Sequence, residues 1–180
     1  MYDVIQKMAK GDVIYRKITL AEGLTVQQML QAIANEDLLS GDITLTVKEG
    51  ELLPETYSFM RGDSKDSIIR QAQKAMQTAL AEAWDNRQDD LPFKNAFELL
   101  IMASIIEKET AVDNERQLVA SVFINRLMKR MKLQTDPTVI YALTNGQKDL
   151  GRPLTRKDLT IDNPYNCLLY TSPSPRDRQK

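Results

Sequence analysis

Apolar and polar positions change period several times along the chain. Residues 13 to 20 (Val-Ile-Tyr-Arg-Lys-Ile-Thr-Leu) are rich in β-branched and aromatic side chains and read as a strand. Thr25, with Gln28 three residues on, reads as the N-cap of a helix that carries Met29, Leu30, Ile33 and Ala34 on one face. Asp42 to Val47 alternates polar and apolar, which predicts a second strand. Such a unit is too small to bury much surface alone and is expected to lean on the later part of the chain. Pro54 argues against a regular central strand between Glu51 and Phe59, so that stretch is expected to be a connector with a short edge strand.

Beyond it the period is helical. Ile69, Ala72, Met76, Ala79, Leu80 and Ala83 recur at three and four, predicting a long amphipathic helix from Asp66 to about Asn86. Phe97, Leu99, Leu100, Met102, Ala103, Ile105 and Ile106 cover nearly every face of a helix from about Asn95 to Lys108, which predicts that it is buried. A further helix, about Asn114 to Arg130, would turn Leu118, Val119, Val122, Phe123 and Leu127 inward. Thr138 to Leu143 fits helix or strand, and Pro137 at a first helical position tips it to helix. The fold class is therefore α+β, a small mixed unit followed by a mainly helical part.

Composition narrows the chemistry more than the fold. The 180 residues are 42% hydrophobic and 27% charged, with a formal net charge of -1, as in ordinary globular proteins. Neither a basic stripe nor an aromatic nucleic-acid-reading motif is present, so nucleic acid is not expected as a partner. With no histidine, His-based nucleophile pairs, His metal sites and a His general base are excluded. Cys167, the single cysteine, allows neither an intrachain disulfide nor a thiolate cluster. The most apolar run, Leu99 to Ile106, is far short of the roughly 20 residues that cross a bilayer.

Carboxylates, lysines and tyrosines remain for acid–base work, and one glutamate stands out. Glu107 and Glu109 lie about 200° apart on a helix and do not form a pair. Glu109 falls over Met102, Ile105 and Ile106, where apolar neighbours and the helix C-terminus would both favour a protonated acid. A Glu-Lys-Glu run at a helix end is also what a solvated terminus looks like. Asn125 and Arg126 equally suit a surface pair, and Asp136 a helix cap. From the residues alone these alternatives stay open.

Three linked motifs lie between residues 102 and 141: Ala-Ser-Ile-Ile-Glu-Lys-Glu-Thr, Val-Phe-Ile-Asn-Arg-Leu after a Glu-Arg pair, and Leu-Gln-Thr-Asp-Pro-Thr-Val-Ile-Tyr. Together they closely resemble the signature block of the MltG-type (YceG-like) endolytic murein transglycosylases. Glu22-Gly23-Leu24-Thr25, Pro54-Glu55-Thr56-Tyr57 and Asn163-Pro164-Tyr165-Asn166 match as well, so the resemblance runs from about residue 13 to 166.

The resemblance implies that Glu109 is the catalytic acid. The implied reaction cleaves the β-1,4 bond between N-acetylmuramic acid and N-acetylglucosamine within peptidoglycan glycan strands, without hydrolysis. Asn125, Arg126, Gln134, Thr135, Asp136, Tyr141, Tyr165 and Asn166 become candidates for lining the glycan groove or orienting the acid. No metal or organic cofactor is implied. Residues 1–50 would be a LysM-like βααβ subdomain and 51–166 an incomplete catalytic domain. The stretch from Cys167 to Lys180 departs from the family pattern and reads as a non-native flexible tail. Partners implied are peptidoglycan and cell-wall synthases. An inner-membrane anchor with a periplasm-facing body is implied for the full-length protein, while this chain itself is expected to be soluble. The rival readings are a non-catalytic glycan-binding scaffold, a hydrolase with Asp136 as base, and a helical interaction protein.

Overall fold

The computed structural model describes residues 14–147 and 150–169. Its elements are β1 (Arg16–Thr19), α1 (Val26–Ala34), β2 (Thr56–Phe59), α2 (Lys65–Asp85), α3 (Ala96–Glu109), α4 (Asp113–Met128) and α5 (Asp136–Thr144), with a 3-10 turn at Asp158–Thr160. The protein is thus α+β, with five helices and a two-stranded sheet among the described residues.

The capping box predicted at Thr25 opens α1. The Gln28 N–H donates to Thr25 Oγ1 at 3.3 Å, and the Thr25 N–H donates to Gln28 Oε1 at 2.9 Å. Val26, Met29 and Ile33 then face inward. β1 and β2 are antiparallel, with Arg16 opposite Phe59 and Ile18 opposite Tyr57. A two-stranded ribbon is marginal alone. Here Ile18, Tyr57 and Phe59 close over Met29 and Ile33 of α1 and Ile68, Ile69 and Ala72 of α2, forming the first core cluster. That cluster includes residues on both sides of position 50.

Four expectations are corrected. Residues 42–47 are not a strand: Ile43, Leu45 and Val47 do pack on the first cluster, but their backbone has no ladder partner among the described residues. Instead the Asp66 carboxylate accepts from the Thr44 N–H at 3.0 Å and from the Thr44 hydroxyl. The strand that pairs with β1 is the short edge strand of the predicted connector. α3 is only partly covered, since Met102 and Ile105 are its buried residues and Phe97 is exposed. On α4 Phe123 is buried and Val119 and Leu127 pack on the second cluster as expected, while Leu118 is 68% exposed and Val122 is exposed too. Finally, Cys167 does not behave as a tail residue. It is enclosed with Met102, Ile105, Phe123 and Leu133 in a second cluster. Residues 170–180 of the expected tail, and Val13 of the expected strand, lie outside the described residues.

α3 packs against α2, α4 and α5, and so joins the two clusters. Among the described residues no helix is long and apolar enough to cross a membrane.

Candidate active site

Glu109 is the last residue of α3, and Thr110 caps that helix by donating its N–H to Ile106 O at 3.1 Å. The apolar enclosure expected for the Glu109 carboxyl is not found. Met102 and Ile105 turn into the second cluster, but α3 ends at Glu109, so no further turn covers the side chain and it is exposed. What holds it comes instead from 26 residues further along: Thr135 Oγ1 donates to Glu109 Oε2 at 2.6 Å.

Thr135 is the N-cap of α5, yet its side chain makes no bond to that helix. An N-cap threonine ordinarily satisfies an orphan amide of its own helix. Here the hydroxyl is turned to the glutamate, in a residue that is 0% exposed. The cap therefore falls at Thr135 rather than at Asp136, which is the first residue of α5 and exposed. Pro137 comes next within the first turn, where no N–H is needed. Just before Thr135, Gln134 has φ 56°, in the left-handed region. That conformation costs a non-glycine residue about 1–2 kcal/mol. It is held by the Gln134 N–H donating to Cys167 O at 3.0 Å. Cys167 N–H in turn donates to Thr138 Oγ1 at 3.2 Å, so the 133–138 turn is pinned from both sides.

The other candidates divide into two groups. Asn125 and Gln134 join Asp136 as exposed or half-exposed side chains on α4 and the α5 entry. Arg126 donates from Nη1 to Leu133 O, tying α4 to the turn that carries Thr135. Asn166 is fully buried and donates through Nδ2 to Leu159 O and Ile161 O at 3.1 and 2.9 Å, while its Oδ1 accepts from Leu168 N–H at 3.0 Å. It shapes a loop rather than facing a groove. Tyr141 and Tyr165 stack edge to face with centroids 5.0 Å apart. Burial, followed by the neighbouring Tyr165 and Glu49, pushes the Tyr141 hydroxyl above the usual tyrosine range.

Tyr141 also lines a cleft of about 860 Å³ bounded by α1, residues 47–51, α2, the start of α3 and the end of α5. Glu109 stands outside it. Inside, the Glu49 carboxyl is pushed up by burial, a shift opposed by the Val26 N–H that donates to its Oε1 at 3.0 Å. Among the described residues no group of acidic side chains and cysteine is arranged to hold a metal ion.

The motif residues flanking Glu109 build the corner between α3 and α4. Thr110 Oγ1 donates to Glu115 Oε2 at 3.0 Å and accepts from the Val112 N–H at 3.1 Å. Arg116 meets Glu107 at 3.0 Å. The Glu115-Arg116 pair carries no local signal of these contacts in the sequence, because its partners lie across a helix corner.

Comparison with known proteins adds to this geometry. Residues 1–174 match the model of the YceG-like family. A Bacillus subtilis (strain 168) protein named endolytic murein transglycosylase is 34% identical over 208 residues, covering 96% of this chain and 55% of that protein. A protein of the same name from Streptococcus pneumoniae serotype 2 (strain D39 / NCTC 7466) is 32% identical over 166 residues, covering 81% of this chain and 29% of that protein. The crystal structure of a yceG-like protein from Listeria monocytogenes superposes with a TM-score of 0.64 at 31% identity, over 96% of this chain and 66% of that one. The chain thus spans about half, or less, of the length of these two named relatives.

Proposed function

The chain belongs to the YceG-like family, and from that premise we propose that it carries the catalytic acid of an endolytic peptidoglycan lytic transglycosylase, Glu109. The observation that carries the reading is the bond from Thr135 to Glu109 Oε2, made by a residue that leaves its own helix uncapped to make it.

The bond cleaved is the β-1,4 linkage between N-acetylmuramic acid and N-acetylglucosamine inside a glycan strand. Ordinary glycosidases flank such a bond with two carboxyl groups, one acting on the leaving oxygen and one on water or carbon. A single group suffices when the nucleophile is the muramyl C6 hydroxyl. Thr135 occupies Oε2, so the transferable proton of Glu109 resides on Oε1. Glu109 gives that proton to the glycosidic oxygen as the C1–O bond breaks. The resulting carboxylate then takes the C6 hydroxyl proton as that oxygen bonds to C1, closing a 1,6-anhydro ring and restoring the acid. Throughout, Thr135 donates to the oxygen that is not transferring a proton.

In this reading Asn125, Gln134 and Asp136 face the glycan, and Tyr141 and Tyr165 flank its path. Arg126 and Asn166 act through the backbone they hold. The portion before residue 51 serves as a LysM-like sugar-contacting unit whose sheet is completed by β2. In the full-length protein a membrane anchor places this body in the periplasm, where cutting nascent strands beside the synthases ends their elongation.

The test is mass spectrometry of soluble products after purified peptidoglycan meets the chain. Anhydro-muramyl products that disappear in Glu109→Gln support the assignment. Reducing-end products point to hydrolysis with Asp136 as base. Glycan binding with no product from either protein overturns the reading in favour of a binding module.

A further inference from the structure

Arg116 lies where three segments meet. Its Nη2 is 3.0 Å from Glu107 Oε2 on the last turn of α3 and 3.9 Å from Glu22 Oε2 in the turn between β1 and α1. Its Nη1 is 3.4 Å from Asp113 Oδ1 at the start of its own helix. Its Nε is buried without a hydrogen-bond partner among the described residues. An arginine that spans three carboxylates while leaving one donor orphaned is poorly explained by stability, since an unpaired buried donor counts against the fold. A planar fork that fixes the separation of two segments explains it better.

The segment so fixed is the one that ends in Glu109. Glu107 and Glu109 point about 200° apart, so Arg116 does not share a face with the proposed acid. It grips the opposite face of the same helical turn. Only residues 110–112 separate α3 from α4, and that corner is closed a second time by the Thr110–Glu115 bond. Lys108 extends the same contact: its Nζ lies 3.7 Å from where a Cβ on Gly23 would sit, so the 21–24 turn rests against the end of α3.

We infer that Arg116 is a positioning residue for the proposed reaction, setting the rotation of the last turn of α3 through Glu107 so that Glu109 meets the Thr135 hydroxyl. The inference rests on Glu109 being the acid. A turn free to unwind at its C-terminal end would let the carboxyl leave Thr135, and misplacement of a reacting group by about 1 Å can cost on the order of 100-fold in rate. Arg116 acts on kcat and not on glycan binding, because it meets the carboxylates of the scaffold.

The experiment compares the full chain with Arg116→Gln, Arg116→Lys and the exchanged pair Glu107→Arg/Arg116→Glu. Turnover on peptidoglycan is measured together with the NMR resonance of the Thr135 methyl group, which reports the contact with Glu109 whether or not turnover occurs. Arg116→Gln is expected to lower kcat about 10-fold or more with KM within about twofold. It is also expected to move the Thr135 methyl resonance as Glu109→Gln moves it. The exchanged pair should recover both only in part, because a carboxylate at position 116 also faces Glu22 and Asp113, and Lys, lacking the fork, likewise only in part. A Thr135 resonance unmoved by Arg116→Gln overturns the inference, whatever the rates. Turnover retained in Glu109→Gln overturns the proposed function instead, and leaves the positioning contact to be judged by the resonance.

Discussion

Replacing Thr135 by valine removes the hydroxyl that meets Glu109 while keeping a side chain of nearly the same shape. A hydrogen bond to a charged group contributes about 1.5–3 kcal/mol. At about 1.4 kcal/mol per factor of ten, losing it from the transition state alone lowers kcat roughly 10- to 100-fold. Stability should change much less, for two reasons visible in the structure. The hydroxyl does not cap α5, so no helix bond is lost. Glu109 is exposed, so water replaces Thr135 at Oε2 and no buried acceptor is stranded. The thermal midpoint should therefore correspond to a stability within about 1 kcal/mol of the parent. The assay is the initial rate of anhydro-muramyl release at saturating peptidoglycan, with Thr135→Ser, which keeps the hydroxyl, alongside. Equal rates for the Val variant and the parent would refute the reasoning. So would a Ser variant as slow as the Val variant, since shape and not the donor would then be at issue.

Burial and charge set three further expectations. Ile68→Ala opens a cavity in the first cluster, where Ile68 is fully enclosed, and should cost about 2–5 kcal/mol in urea unfolding. Leu118→Ala, at an exposed position of α4, should stay within about 0.5 kcal/mol; a large loss there would mean that the helix face is covered in solution. The Asp66 carboxyl is held below its ordinary value of 3.8, first by the Thr44 hydroxyl and then by the Thr44 N–H. Its folded-state value is depressed, so its contribution is fully present above the ordinary value and is lost as pH falls through the depressed one. Unfolding monitored from about pH 6 to about pH 2 should show Asp66→Asn converging on the parent at the acid end. A gap of constant size would contradict that.

Three of the five described helices wear a local signature in the sequence: the Thr25–Gln28 box, the three-and-four spacing from Ile69 to Ala83, and Pro137; α3 and α4 were legible as helices but not in which faces they bury. The sheet was not legible. Alternation at 42–47 is real and places Ile43, Leu45 and Val47 against the core. Alternation reports only which side chains turn inward, however, and says nothing about what the backbone binds. A single side chain, Asp66, took the place of a neighbouring strand at Thr44. Pro54 correctly marked the following segment as an edge, but an edge strand was enough for β1 to pair with. Helix periodicity singled out Glu109 only as a candidate and misjudged its surroundings, because a helical wheel does not show that the helix stops there. Thr135 was named through the motif it belongs to. That its hydroxyl would desert its own helix for Glu109 is a contact between residues 26 apart, and no local pattern encodes it. Composition misplaces Cys167, since the segment around it resembles a solvated tail while the residue itself fills the space beside Leu133.

That enclosed sulfur makes the chain its own reporter. With one cysteine in the sequence, any thiol reagent has a single target. The target sits in the second cluster, with Met102 and Ile105 of α3, on the stretch of chain whose carbonyl holds Gln134 in its left-handed turn. Alkylation can proceed only as often as that region opens. The labelling half-life therefore reports the opening of the end that carries Glu109 separately from the sheet end. A glycan fragment that slows labelling without altering whole-chain unfolding would locate its grip at that end of the molecule.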